Sequence, residues 1–323
     1  MDYEKLLDLV KLEPIPKGQL FVANYLLKPL YKFRKLKIVF EGIENLPNRP
    51  VIFVMNHTDR YNYWPFQFQL YMLRNKIMYC YTTTWVKLKY YESKLLARFF
   101  NWTGNLPMPS KGYLMVKDLQ KYFGDDKSIL NKYFRKLKSF INGELSEEEL
   151  NSDKKFLSFI RNFGDYKKYL EERYKSLMTK AYHLCHDAIY NKNLNLLIFP
   201  EGTRSKKLIK GKTGAVQFAF SLNVPIVPVG CNGSDKVYTR NAPWIEKNKT
   251  IIYRIGKPIY FNQINEFKLD TNFIPFTEKA EKNKNIFEKA TEYMMEKLAE
   301  LLDDEYKPSN NTLEKYDINK FIL

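Results

Sequence analysis

The sequence predicts an α/β fold, a mostly parallel sheet flanked by helices, with N-terminal helices and an inserted helical subdomain. Three observations carry this. The runs RPVIFVMNH (49–57), LNLLIFP (194–200) and VPIVPVGCNG (224–233) are short, apolar and rich in β-branched residues, as buried strands are. Segments with helical periodicity, such as WPFQFQLYMLRN (64–75) and TGAVQFAFSLN (213–223), separate them. Strands that alternate with helices build a largely parallel sheet.

The elements follow in order. MDYEKLLDLVKLEP is amphipathic and mixed in charge, unlike a signal peptide. QLFVANYLLKPLYKFRKLK (19–37) has an apolar, aromatic body ending in Lys32, Arg34, Lys35 and Lys37. That pattern suits a helix lying in a membrane interface and equally a helix packed on the domain with a solvated basic end. KIVFEGIENLP (37–47) reads as a strand, a Gly turn and an edge, and KIMYCYTTT (76–84) as a second β-rich run. LARFFNWTGNLPMP (96–109) ends a helix and enters a Gly/Pro-marked segment. Residues 117–175 are dense in charge and helical in period, with Ser146 as an N-cap. Helix 175–193 precedes the strand at 194–200, and KTIIYRIGKPIYF (249–261) reads as a strand pair or a bent strand. Residues 276–304 predict a long amphipathic helix with Ile286, Ala290, Met294, Leu298 and Leu301 along one stripe. The tail after Lys307 reads as loosely ordered. The domain organisation is thus N-terminal interfacial helices (1–36), a first α/β part (37–116), a helical insertion (117–175), a second α/β part (176–265), and a C-terminal helix and tail (266–323).

With 323 residues, 45% of them hydrophobic, the chain can bury a substantial core and is not disordered by composition. The formal net charge of +17 points to an anionic partner: nucleic acid, an acidic membrane surface or a phosphorylated substrate. The three cysteines, Cys80, Cys185 and Cys231, are widely spaced and form no CxxC pair, which suits a reducing compartment. No run of 18 apolar residues is present to span a membrane. His183 and His186 lie three apart on one helix face with no third ligand in view, so they read as structural and no metal is expected. Trp64, Trp85 and Trp102 sit in apolar surroundings and read as core or groove lining; no RNA-binding signature accompanies them.

Two segments stand at the C-terminal ends of buried strands, where open α/β sheets place their sites. One is Asn56-His57, opening NHTDRYNYWP. The other is FPEGTRS (199–205), where Glu201, Gly202, Thr203 and Arg204 follow within four residues of Pro200. Arg204 suits a bidentate grip on phosphate, Gly202 permits close backbone approach, and Thr203 and Ser205 add donors. Glu201 could fix Arg204 or bind a substrate hydroxyl. A plain surface turn with a solvated Glu–Arg pair is the other reading of this loop.

Taken with VPIVPVG (224–230), LIKGKTGAVQFAF (208–220), ENLP before the first strand and IGKPI (255–259) after the last, these segments resemble the glycerolipid acyltransferase family. That family includes the 1-acylglycerol-3-phosphate and other lysophospholipid acyltransferases. FPEGTRS matches its glycerol-phosphate motif without a gap. Two departures stand out. The family's His is followed five positions on by Asp, and here that place holds Asn62. In GNLPMPSK (104–111), Ser110 falls where an Arg is expected, with Lys111 next.

The resemblance implies direct acyl transfer. A fatty acyl thioester, acyl-CoA or acyl-ACP, is attacked by the hydroxyl of a lysophospholipid such as 1-acyl-glycerol-3-phosphate. His57 would be the general base. Glu201, Gly202, Thr203 and Arg204 would hold the phosphate, helped by Lys111 and Lys212. No bound cofactor is expected; the acyl donor is a co-substrate. Partners are the lysophospholipid, acyl-CoA or acyl carrier protein, and anionic lipids of a membrane surface, with no nucleic acid; the expected location is cytoplasmic and peripheral to the membrane. An amide at 62 cannot offset the charge that develops on the ring. Asp59, two residues from His57, is therefore the candidate carboxylate nearest in sequence, with one from elsewhere in the fold as the other reading. A catalytically weak or inactive lipid-surface homologue is the alternative that Asn62 leaves open.

Overall fold

The computed structural model describes residues 3–239, 243–269 and 272–309. Its strands are β1 (Lys37–Glu41), β2 (Ile52–Met55), β3 (Thr82–Lys87), β4 (Leu106–Met108), β5 (Asn195–Ile198), β6 (Ile226–Asn232) and β7 (Thr250–Ile255). They form a seven-stranded sheet in the order β1-β7-β6-β2-β5-β3-β4. The run from β6 to β4 is parallel, while β7 is antiparallel to β6 and parallel to β1.

β2 lies at the centre of the sheet, with Phe53 in register with Leu197 on one side and Val227 on the other. All four of its residues are buried, which explains the continuous apolar run. Successive side chains point to opposite faces. Ile52 and Val54 join a core with helices Lys111–Phe123, Tyr166–His186, Gly214–Ser221 and Lys284–Ala299. Phe53 and Met55 join a second core with Leu70, Val229, Tyr253 and Tyr31. Helices thus cover both faces, and the strand ends are left to carry chemistry.

Several boundaries differ from those the sequence suggests. The β-rich run at 76–84 becomes a strand only at Thr82 and continues to Lys87. Its start is fixed by Gln67, whose Nε2 donates to the hydroxyls of Thr82 (2.7 Å) and Thr84 (3.0 Å). The Gly/Pro-marked segment contains β4, a strand the periodicity missed. Pro107 is tolerated there because β4 is the edge of the sheet and, among the described residues, pairs only with β3. The insertion boundaries at 116/117 and 175/176 both fall inside helices, Lys111–Phe123 and Tyr166–His186, which pack in the same core as β2. The changes of direction come instead at Gly124 and Gly164, both with positive φ. Helices Lys127–Asn142, Glu147–Ser152 and Lys154–Arg161 lie between those glycines, and Ser146 caps the second through a capping box with Glu149.

The N-terminal helical run comprises Lys17–Phe21, a π turn Val22–Leu27 and Lys28–Phe33. It packs on the domain through Val22, Ala23, Leu27 and Tyr31, yet Tyr25, Leu26 and Phe33 remain exposed, Phe33 by 74%. The C-terminal helix is interrupted: Glu278–Glu281 precedes Lys284–Ala299, and Ala290, Met294 and Leu298 of the expected stripe are buried. Most of the tail after Lys307 lies outside the described residues. Among the described residues, no helix is long and apolar enough to cross a membrane.

Candidate active site

Three parallel strands deliver side chains to one edge of the sheet. β2 ends in Asn56 and His57, β5 in the 199–205 loop, and β3 in Lys87. Asn56 is buried and bridges the end of β2 to β6. Its Oδ1 accepts from the Cys231 N–H (2.7 Å), and its Nδ2 donates to the Cys231 carbonyl (3.0 Å). His57 emerges next. Its backbone N–H donates to Glu201 Oε1 (2.8 Å), and its carbonyl accepts from the Ser205 N–H (2.9 Å). The loop after β5 therefore holds the histidine's main chain from both ends of the residue.

The imidazole stacks on Phe199, with ring centroids 4.0 Å apart. Its Nδ1 lies 3.2 Å from Asn62 Oδ1. The direction of that bond follows from the amide's other end. Asn62 Nδ2 donates to the Asn56 carbonyl (2.8 Å), so Oδ1 must be the atom facing the ring and Nδ1 must carry the proton. Nε2 is left with a free lone pair. Burial pushes the ring's pKa down to about 3; the Asn62 bond opposes this, while the positive charges of Arg204 and Lys87 add to it. The histidine is thus neutral, in one tautomer, and able to accept a proton at Nε2.

Asp59 is not the ring's partner. Its carboxylate folds over its own turn, accepting from the Tyr61 N–H (2.8 Å) and the Thr58 hydroxyl (3.1 Å). Burial raises its pKa. The turn that would bring a +2 side chain back to the ring is used to close the 58–61 backbone instead.

In the loop after β5, Glu201 is 1% exposed and faces inward. Its two oxygens accept from the His57 and Ile209 N–H groups (2.8 and 3.1 Å). Burial raises its pKa to about 7 against the pull of those two bonds. Gly202 has φ +66°, and a Cβ there would come within 3.2 Å of Lys212 Nζ, so the glycine allows both the turn and the lysine's close approach. Arg204 is exposed and Thr203 partly so. The charge of Arg204 reaches the His57 ring, and the Lys212 side chain lies against Gly202; Lys111 is elsewhere. It opens the helix after β4, where its Nζ pairs with Glu171 and lies 5.4 Å from the Tyr174 ring centroid. β4 is separated from β2 by β5 and β3, roughly 14 Å at the usual strand spacing. The stand-in for a missing arginine is therefore held away from His57.

Three residues at the site escaped the sequence reading. Lys87, whose charge the His57 ring senses, is the last residue of β3. Carrying that strand three residues past Thr84 would have brought it to the same edge. Phe199 is assigned no role of its own within the strand and the FPEGTRS segment, and Asn56 none beside His57. Elsewhere, His183 and His186 are exposed, and the described residues contain no group of three or more His, Cys, Asp or Glu side chains placed to hold a metal. Trp102 is not core: it is 45% exposed and packs on Phe21, 5.2 Å between ring centroids.

Comparison with known proteins bears on the second half of this site. Residues 155–232, which include β5, its loop, helix Gly214–Ser221 and β6, match the Acyltransferase family model. A 1-acyl-sn-glycerol-3-phosphate acyltransferase from Cocos nucifera is 42% identical over 57 residues, 17% of this chain and 18% of that protein. One from Haemophilus influenzae is 41% identical over 69 residues, 21% of this chain and 28% of that protein. The chain thus spans less than a third of either relative's length in these matches. A crystal structure of the 1-acyl-sn-glycerophosphate acyltransferase PlsC from Thermotoga maritima aligns over 84% of this chain and 81% of its own, at 14% identity and a TM-score of 0.39. The segment that supplies Glu201, Gly202, Thr203 and Arg204 is thus similar to the acyltransferase family, over about a quarter of the chain.

Proposed function

We propose that this protein transfers a fatty acyl group from a thioester, acyl-CoA or acyl-ACP, to the free hydroxyl of a lysophospholipid, with 1-acyl-glycerol-3-phosphate as the leading acceptor. One observation carries the reading: a neutral imidazole with its Nδ1 proton held by Asn62 and the Arg204 cation beside it. Nε2 of His57 takes the acceptor's hydroxyl proton as the oxygen attacks the thioester carbonyl. The tetrahedral intermediate collapses with cleavage of the C–S bond, and the departing thiolate takes the proton from the imidazolium. No enzyme nucleophile enters and the catalyst is regenerated.

Arg204 receives the acceptor's phosphate, helped by the charges of Lys87, which the His57 ring also senses, and Lys212, whose Nζ lies against Gly202. Asn62 Oδ1 accepts the hydrogen bond from Nδ1–H throughout, so the tautomer is kept, although no full charge offsets the imidazolium. An apolar cleft beside the site, lined by Leu20, Val22, Tyr63, Trp64, Phe68 and Phe99, is the candidate seat for an acyl chain. It has only about 30 Å³ of space, room for a single water, so a chain enters by parting residues 19–23 from helix Tyr63–Met72. Exposed Phe21, Tyr25, Leu26 and Phe33 on the N-terminal helices support contact with a lipid surface.

The test is acyl transfer across glycerol 3-phosphate, 1-acyl-glycerol-3-phosphate and other lysolipids, with acyl-CoA and acyl-ACP as donors. Transfer is expected to a phosphate-bearing lysolipid, and His57→Ala should lower kcat by about 10³-fold or more. No transfer to any acceptor, with His57→Ala indistinguishable from the parent, would sink the reading.

A further inference from the structure

We propose that Glu201 is a positioning residue that straps the catalytic histidine's main chain to the loop after β5, and that it does not contact the substrate. The geometry carries this. Glu201 is buried, and its two carboxylate oxygens each accept a backbone N–H: His57 at 2.8 Å and Ile209 at 3.1 Å. The same loop supplies the Ser205 N–H to the His57 carbonyl at 2.9 Å. Both main-chain polar groups of His57 therefore end on residues 201–205, and the second carboxylate oxygen pins the far side of that loop at Ile209.

The chemistry explains why an acid stands here. Two N–H groups converge on one side chain, and only a group that accepts on both atoms satisfies them. A glutamine would turn a donor toward one of the two amides. Burying a carboxylate is costly unless its oxygens are bonded, and here the bonds go to the backbone. Through this strap the acid fixes where the imidazole stands relative to Phe199 and Asn62. A loosened strap displaces Nε2 from the hydroxyl it must deprotonate, and a misplacement of about 1 Å costs on the order of a hundredfold.

The kinetic arm of the test rests on the acyl-transfer reading; the spectroscopic arm does not. Glu201→Gln and the shorter Glu201→Asp are compared with the parent and with Arg204→Ala. For both Glu201 variants, kcat is expected to fall by about a hundredfold while the acceptor KM stays within about threefold. Arg204→Ala should do the reverse. With three histidines in the chain, ¹⁵N-histidine labelling, assigned by His57→Ala, follows the His57 Nδ1–H signal directly. That signal should shift or broaden in both Glu201 variants; if one variant fails to fold, the other decides. An acceptor KM raised tenfold or more with kcat retained would make Glu201 a substrate contact and overturn the proposal. So would an unchanged His57 signal in folded variants. If the parent transfers no acyl group, the acyl-transfer reading fails and the His57 signal alone decides the strap.

Discussion

Residues 56–62 and residues 199–212 meet around one imidazole, and they hold it by different means. The first loop uses neutral amides. Asn56 fastens the strand end to β6, Asn62 turns its oxygen to the ring, and the two asparagines lock each other through the Asn62 Nδ2 bond to the Asn56 carbonyl. The second loop uses charge: a buried carboxylate on two backbone N–H groups, and cations at the rim. The loop that departs from the family pattern retains a histidine in a usable tautomer. The loop that matches it without a gap directs its acid at the protein's own backbone. A residue's place in a motif and its hydrogen-bonding role are separate facts, and only geometry joins them.

The sharpest way to break this contrast is at Asn62. Asn62→Leu leaves the Nδ1 proton and the Asn56 carbonyl without partners. The ring can then rotate or change tautomer, and kcat should fall by about 10²–10³ with the acceptor KM little changed. Asn62→Asp is the informative counterpart. It sets a carboxylate oxygen against the Asn56 carbonyl where a donor stood, so thermal unfolding should show a loss of about 1–3 kcal/mol. The carboxylate would also support the imidazolium, and kcat should gain no more than about tenfold. A gain of a hundredfold or more from a near-zero background would favour the inactive lipid-surface homologue instead.

Arg204 tests the charged half. Removing a guanidinium that meets phosphate costs about 1.5–3 kcal/mol, so Arg204→Ala should lower kcat/KM by roughly 10- to 100-fold, mostly through acceptor KM. Rising salt should weaken the parent's acceptor binding and leave the variant's nearly flat.

The two loops should also separate by pH. His57, held down to about 3, stays neutral at any pH where the protein is assayed and contributes no acid limb. Glu201 titrates near 7. Ionised, it accepts both amides; protonated, one oxygen aims a hydrogen at an N–H. Activity should therefore climb as pH rises through about 7, by at most tenfold per unit, and level off above about 8. Stability moves the other way. Because the folded value lies above the ordinary 4.5, the folded protein holds this proton more tightly than the unfolded chain. The group's contribution is complete below about pH 4.5 and is lost as pH rises through about 7, up to about 3 kcal/mol. Both slopes should vanish in Glu201→Gln, measured by kcat–pH profiles and thermal melts.

The central strands and the phosphate loop were legible because their signals are local. β2, β5 and β6 are buried on both faces and so read as unbroken apolar runs, and the loop after β5 is a contiguous motif. What sequence could not deliver depends on tertiary closure. β4 hides behind Pro107, which an edge strand tolerates. Thr82, Thr83 and Thr84 are buried polar residues whose strand depends in part on Gln67. The direction of Glu201 depends on where the His57 and Ile209 amides come to lie, 144 and 8 residues away in the chain. Asp59 lies two residues from His57 and equally two from Tyr61, and it is the Tyr61 N–H that claims its carboxylate.

Lys111 carries the smallest expected effect, and it separates position in the chain from position in the sheet. Sequence spacing put it beside Ser110, where an arginine was expected. The fold puts it at the far edge, three strands from His57 along the sheet order, paired with Glu171 and packed over Tyr174. Both partners of that ion pair are more than two-fifths exposed, so the pair itself is worth no more than about 1 kcal/mol. Lys111→Ala should leave the acceptor KM and kcat within about threefold of the parent, read in the same assay that resolves Arg204→Ala. A tenfold rise in acceptor KM would mean that the substrate reaches across β5 and β3 to the end of β4. The phosphate site would then extend along the whole C-terminal edge of the parallel strands, and the division of labour between the two loops would have to be redrawn around a third.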